Sequence, residues 1–370
     1  QSTQKFSENV LDSTNAWQKV IEDETLLAGL PESAKIAARE TAKLKELEGW
    51  VFTLHAPSIM PIMKYLDDDS LRQEFWEASC KVGWEGERDN TDLIRKILDL
   101  RQEKATILGK RDYADVVLER RMAGSGARAD EFVSDLRDKT TDAFTRENDQ
   151  LIAFKAEKTG HPAELLEPWQ HSYWAEKQMK EKYDFDDEDM RPYLPIDSVL
   201  SGMFSLVTKI FCLRIEERST SHEGQPANLV KGDDREPVEV WHPEVKFYEV
   251  FDSTDNRHLG SFYADWHPRP DKRSGAWMNY FKMGIPGDAA SPRGPHLGLM
   301  CGNMTAPVDG KPALLTHYEA NTVFHEFGHL LHHLCAEVKY KSLGMGTVPW
   351  DYVELPSQIM ENWLWERESL

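Results

Sequence analysis

Two histidines four positions apart, with a glutamate directly after the first, carry the strongest chemical signal in this chain: His325-Glu326-Phe327-Gly328-His329. On an α-helix, residues i and i+4 lie one above the other on one face, so both imidazoles can converge on a single point. Zinc in catalytic sites typically takes three protein ligands, leaves the fourth position to water, and lowers the pKa of that water toward neutrality. Glu326, beside the first imidazole, can then take the proton of that water as general base. These residue types at this spacing predict metal-assisted hydrolysis with one Zn2+ per chain.

The surroundings separate this reading from a solvated helix face that carries the pattern by chance. Val323, Phe324, Phe327, Leu330, Leu331 and Leu334 surround the polar trio, which predicts a buried helix. Buried imidazoles and a buried carboxylate need partners. Thr316, followed three residues later by Glu319, reads as a capping box opening a helix over 317–337. On that helix His332 lies seven positions after His325 and is expected to pack near the same face, whereas His333 points elsewhere and is expected to be exposed or capping. Cys335 is within reach of the site but is expected to be a small buried side chain.

A third ligand must come from a second element. Gly344 and Gly346 suit a loop over 341–349 that turns the chain back toward the first helix. It delivers three carboxylates, Asp351, Glu354 and Glu361, and spacing alone leaves the choice open. Pro356 predicts a helix start or a kink close to Glu354. Glu361, seven residues after Glu354, is placed to orient a ligand histidine through a hydrogen bond, or to be a surface glutamate.

The HExxH motif, together with Val348-Pro349-Trp350-Asp351-Tyr352-Val353-Glu354-Leu355-Pro356-Ser357-Gln358 and then Met360-Glu361-Asn362-Trp363, resembles the thimet oligopeptidase family of zinc metallopeptidases. The resemblance implies Glu354 as third ligand beside His325 and His329, with Glu326 as the base. It further implies a mainly α, zincin-type fold with a small antiparallel β-sheet beside the HExxH helix. Implied substrates are short peptides cut internally, because a deep channel excludes folded proteins. A dipeptidyl carboxypeptidase of the same family, and a chain that binds zinc without turnover, are the alternatives. Family members are longer, so the chain reads as an interior fragment that begins mid-helix and stops at Leu370 inside a helix. Tyrosine and histidine side chains that hydrogen-bond the oxyanion lie beyond that point in the family, and the loss of such a donor typically costs a hundredfold or more. Turnover by this chain alone is therefore expected to be poor. One departure is Gln170 after Trp169, where the family commonly has aspartate, which puts an ion pair there in doubt.

Composition narrows the class. At 370 residues the chain exceeds one ordinary core, so an elongated domain or two packed subdomains are expected. A net charge of -20 argues against nucleic acid and anionic membrane surfaces as partners. No run is apolar enough to span a bilayer. Cys80, Cys212, Cys301 and Cys335 are scattered without metal-type spacing, as in a reducing, cytoplasmic setting. A monomer acting on peptides is expected.

Along the chain, periodic apolar positions predict a helical region over 1–218, including helices over 92–109, 128–160 and 195–213. A loop-rich connection over 219–243 follows, and then a zinc-bearing region over 244–370. There, 245–250 and 259–264 predict a hairpin, and 297–304 a third strand. An edge strand beside the metal helix can bind an extended peptide, but the sequence does not say which strand that is.

Overall fold

Each of two units, Gln1–Asp186 and Asp187–Leu370, has an apolar core of its own. The computed structural model describes residues 1–288, 291, 293–307 and 312–368, so Leu370, where the sequence suggests a helix, lies outside the described residues.

In the first unit, helix α1 (Ser2–Ala16) leads into strand β1 (Gln18–Ile21), α2 (Glu32–Leu44) and β2 (Trp50–Thr53). The expected helical region is thus interrupted early by a strand, where Ile21 pairs with Trp50 across an antiparallel ribbon. Helices α3 (Ala56–Tyr65), α4 (Asp69–Cys80), α5 (Thr91–Ile107), α6 (Tyr113–Leu118), α7 (Gly126–Thr159) and α8 (Pro168–Tyr183) complete it. Local chemistry sets their ends. Asp68 caps α4 through the Leu71 N–H, and Gly160 closes α7 in the left-handed conformation that glycine adopts without strain. Gln170 closes a capping box with Glu167 and donates from Nε2 to Asp69 at 3.0 Å, replacing the doubtful ion pair with neutral-donor hydrogen bonds.

The second unit opens with a 3-10 helix (Asp187–Tyr193), followed by α9 (Ile196–Phe211), β3 (Leu213–Arg218), the short β4 (Thr220–Ser221) and β5 (Val238–Glu239), and β6 (Lys246–Asp252). The hairpin partner β7 (His258–Asp265), then β8 (Trp277–Lys282) and β9 (His296–Cys301), complete a five-stranded sheet of order β3-β6-β7-β9-β8 among the described residues. The sheet was expected to be antiparallel, but β7 and β9 run parallel, with Phe262 opposite Gly298. The reason is topological. After β7 the chain first forms the outer strand β8 and only then inserts β9 between them, so β9 is antiparallel to β8 and parallel to β7.

Helix α10 (His317–Leu334) carries the HExxH motif, and α11 (Trp350–Val353) and α12 (Leu355–Glu361) carry the returning carboxylates. The Thr316–Glu319 capping box forms as the sequence suggests, and Glu319 also receives the Thr305 N–H at 2.7 Å. Phe327 of α10 meets Phe204 of α9 and Phe262 of β7, with ring centroids 5.7 and 6.2 Å apart, so both helices pack on one face of the sheet. Among the described residues no helix is long and apolar enough to cross a membrane.

Candidate active site

Helix α10 lays its motif across the β8 end of the sheet. Phe327 and Leu330 are fully buried beneath it, while His325 and His329 lie on the opposite side, with ring centroids 5.0 Å apart. Glu354 sits at the junction of α11 and α12, where Pro356 occupies the first turn of α12 and so starts that helix rather than kinking one. Its Oε2 lies 3.2 Å from His325 Nε2 and 3.1 Å from His329 Nε2. His325, His329 and Glu354 together form a group able to hold a metal ion, with one donor atom from each within 4.8 Å of the others. Asp351, exposed on α11, stands outside it.

Two features test whether a cation fits. Ligands at 2.0–2.1 Å on tetrahedral zinc are separated by about 3.3 Å, close to the spacing found here. The donor set, two imidazole nitrogens and a carboxylate oxygen, also suits zinc. The tautomer of His325 agrees. Its Nδ1 donates to Glu361 Oε1 at 2.6 Å, leaving the Nε2 lone pair directed at Glu354. Glu361 in turn accepts from Asn321 Nδ2 at 3.1 Å. Burial opposes the charge on Glu361, but these hydrogen bonds from His325 and Asn321 outweigh it and hold the carboxyl below its usual range. His329 lacks such a partner, since its Nδ1 is buried without a hydrogen bond, and burial lowers its pKa.

Glu326 is 6% exposed, and its Oε2 is likewise buried without a partner. Burial pushes its carboxyl up to about 7; the Glu354 charge adds to this, while His325 and the backbone N–H of Met278 in β8 oppose it. A carboxyl that exchanges its proton near neutral pH suits acid–base work.

Other expectations resolve differently. His333 is fully buried rather than exposed, because β9 covers that side of the helix and the Leu297 carbonyl lies 3.3 Å from its Nε2. His332 is half-buried, its ring 6.3 Å from that of Tyr352. Cys335 caps the end of α10, exposed as a residue although burial of its thiol pushes its pKa up to about 11. The turn around Gly346 lies against the end of β8, where a Cβ would come within 2.2 Å of the Tyr280 hydroxyl. Sequence reasoning missed β8, the outer strand beside α10, and Ser357, whose hydroxyl reaches the Glu354 carboxylate at 2.8 Å. A serine three residues after a candidate ligand was the available signal for the latter.

An HExxH helix on a small mixed sheet, with a glutamate returned from a second helical segment, is a zincin-type arrangement. The model of peptidase family M3 matches residues 62–370, and the chain belongs to that family. It is 40% identical to oligopeptidase A of Escherichia coli (strain K12) over 99% of this chain and 52% of that protein. Identity is 37% to the chloroplastic/mitochondrial organellar oligopeptidase A of Arabidopsis thaliana, over 99% and 45%. It is 30% to dipeptidyl carboxypeptidase of Escherichia coli (strain K12), over 98% and 50%. The chain thus spans about half the length of these curated relatives.

Proposed function

We propose that this chain carries the zinc site of an endopeptidase that hydrolyses internal bonds of short peptides. The observation that carries the reading is the meeting of His325 Nε2, His329 Nε2 and Glu354 Oε2 beside the buried carboxyl of Glu326. Zinc bound there would polarise the scissile carbonyl and acidify a water molecule. Glu326 takes the proton of the attacking water at its unpartnered Oε2 and passes it to the leaving amine. Glu361 holds His325 in the tautomer that presents Nε2. The outer edge of β8 offers backbone groups along which an extended peptide can lie. The scattered cysteines fit a reducing compartment such as the cytoplasm.

Higher identity to oligopeptidase A than to dipeptidyl carboxypeptidase favours internal cleavage over removal of C-terminal dipeptides. The test is metal content of the purified chain and of Glu354→Ala, with mass spectrometry of products from a blocked oligopeptide. One zinc per chain, lost in the variant, is the expected result, with any products cut internally. A folded chain without stoichiometric zinc defeats the metal reading, and dipeptide products shift the assignment to the second activity.

A further inference from the structure

Glu354 is the most exposed member of the group, with half of its side chain open to water and three rotatable bonds to order before it can close a metal site. What steadies it is Ser357, which is fully buried one turn further along. Ser357 Oγ lies 2.8 Å from Glu354 Oε2 and 2.8 Å from the Glu354 carbonyl oxygen, yet it has one proton to give. That carbonyl already accepts the Gln358 N–H at 2.9 Å, whereas an ionised carboxylate is the stronger acceptor. The proton therefore goes to Oε2, the same oxygen that faces both imidazole nitrogens.

Gly328, inside the HExxH motif, lets the segment that carries Glu354 and Ser357 come close to α10. A Cβ at position 328 would lie 2.5 Å from the Pro356 carbonyl oxygen and 2.6 Å from Ser357 Cα, so any side chain there would force α12 away from α10. The residue between Phe327 and His329 thus sets the distance at which the third carboxylate arrives.

We propose that Ser357 is a positioning residue for the metal: it holds Glu354 Oε2 in the orientation that completes the pair His325 and His329, and Gly328 admits it. The inference rests on the reading of Glu354 as third ligand.

The experiment measures zinc dissociation constants, by competition with a chromophoric chelator, for the unmodified chain, Ser357→Ala, Glu354→Ala and the double variant. Ser357→Ala is expected to bind zinc about 10–100-fold more weakly, the usual effect of losing a hydrogen bond that orients a ligand. In the Glu354→Ala background the same change should have no further effect, because the carboxylate it orients is gone. Ser357→Thr, which keeps the hydroxyl, should stay within a few-fold of the unmodified chain. Equal losses in both backgrounds would assign Ser357 to packing alone and overturn the proposal, as would an unchanged constant in Ser357→Ala or a threonine variant as weak as the alanine one. If Glu354→Ala binds zinc as tightly as the unmodified chain, the ligand assignment itself has failed, a result separable from failure of Ser357 alone.

Discussion

Helices α7 and α10 are both strong helical signals, and they use their polar residues in opposite ways. Helix α7 runs for 34 residues, and Leu151 is its buried residue among those described. Its charges pair along the surface, Arg128 with Glu131 and Lys139 with Asp135, while Phe132 and Phe144 are 60% and 68% exposed. Helix α10 has 18 residues, of which eleven are buried, including Glu326, His329 and His333. Water solvates the charges of α7 at little cost. Glu326, His329 and His333 of α10 have lost that solvation, so their pKa values move and their neighbours decide what they do. The contrast teaches that a buried polar group on a short helix is a better guide to chemistry than a long charged one.

The sharpest way to break the comparison is Glu326→Gln, which keeps size and burial but removes the proton acceptor. Peptide cleavage should fall by about 10²–10⁴-fold with zinc content unchanged. Cleavage at the unmodified rate would remove Glu326 from the mechanism, and lost zinc would show that it supports the metal site instead. Next comes packing. Phe327→Ala, at the junction of α9, α10 and the sheet, should cost about 3–5 kcal/mol in urea unfolding, whereas Phe144→Ala on α7 should stay within roughly 0.5 kcal/mol. Similar losses for the two would mean that α7 is covered in solution.

A smaller effect comes from His333, whose pKa is drawn down to about 4, first by burial and then by the charge of His296. Unfolded, it would titrate near 6.5. As pH falls from about 6.5 to 4, the unfolded chain binds a proton that the folded chain refuses, so stability is full above this window and declines within it. The loss approaches roughly 3 kcal/mol at its lower end. Stability measured at pH 7 and pH 4.5 should therefore differ less in His333→Asn than in the unmodified chain. An identical difference in the two would show that His333 is accessible to water in the folded state.

Much of α10 could be read from the sequence because its signals are local: a capping box, a periodic apolar face and two imidazoles at helical spacing. The return segment could not be read in the same way. Asp351, Glu354 and Glu361 all lie within a few turns of one another, and the break between α11 and α12 decides which of them faces the Nε2 atoms of both histidines. The outer strand β8 escaped because Trp277-Met278-Asn279-Tyr280-Phe281-Lys282 shows no clean alternation, and four of its six residues are exposed. Without β8, nothing in the sequence shows that β9 runs parallel to β7. The burial of His333 is illegible for a related reason: periodicity gives the direction of a side chain but not which element closes over it.

At the small end stands Lys139 on α7, whose ammonium lies 2.7 Å from Asp135 one turn earlier, with the two side chains 69% and 51% exposed. Replacing it by alanine removes an ion pair that water and salt already screen, and alanine is itself a good helix former. The melting temperature should therefore move by no more than about 1 °C, and raising the salt concentration should erase even that difference. A drop of several degrees that persists in high salt would mean that Lys139 makes a buried contact in solution, and α7 would then belong with α10 rather than opposite it.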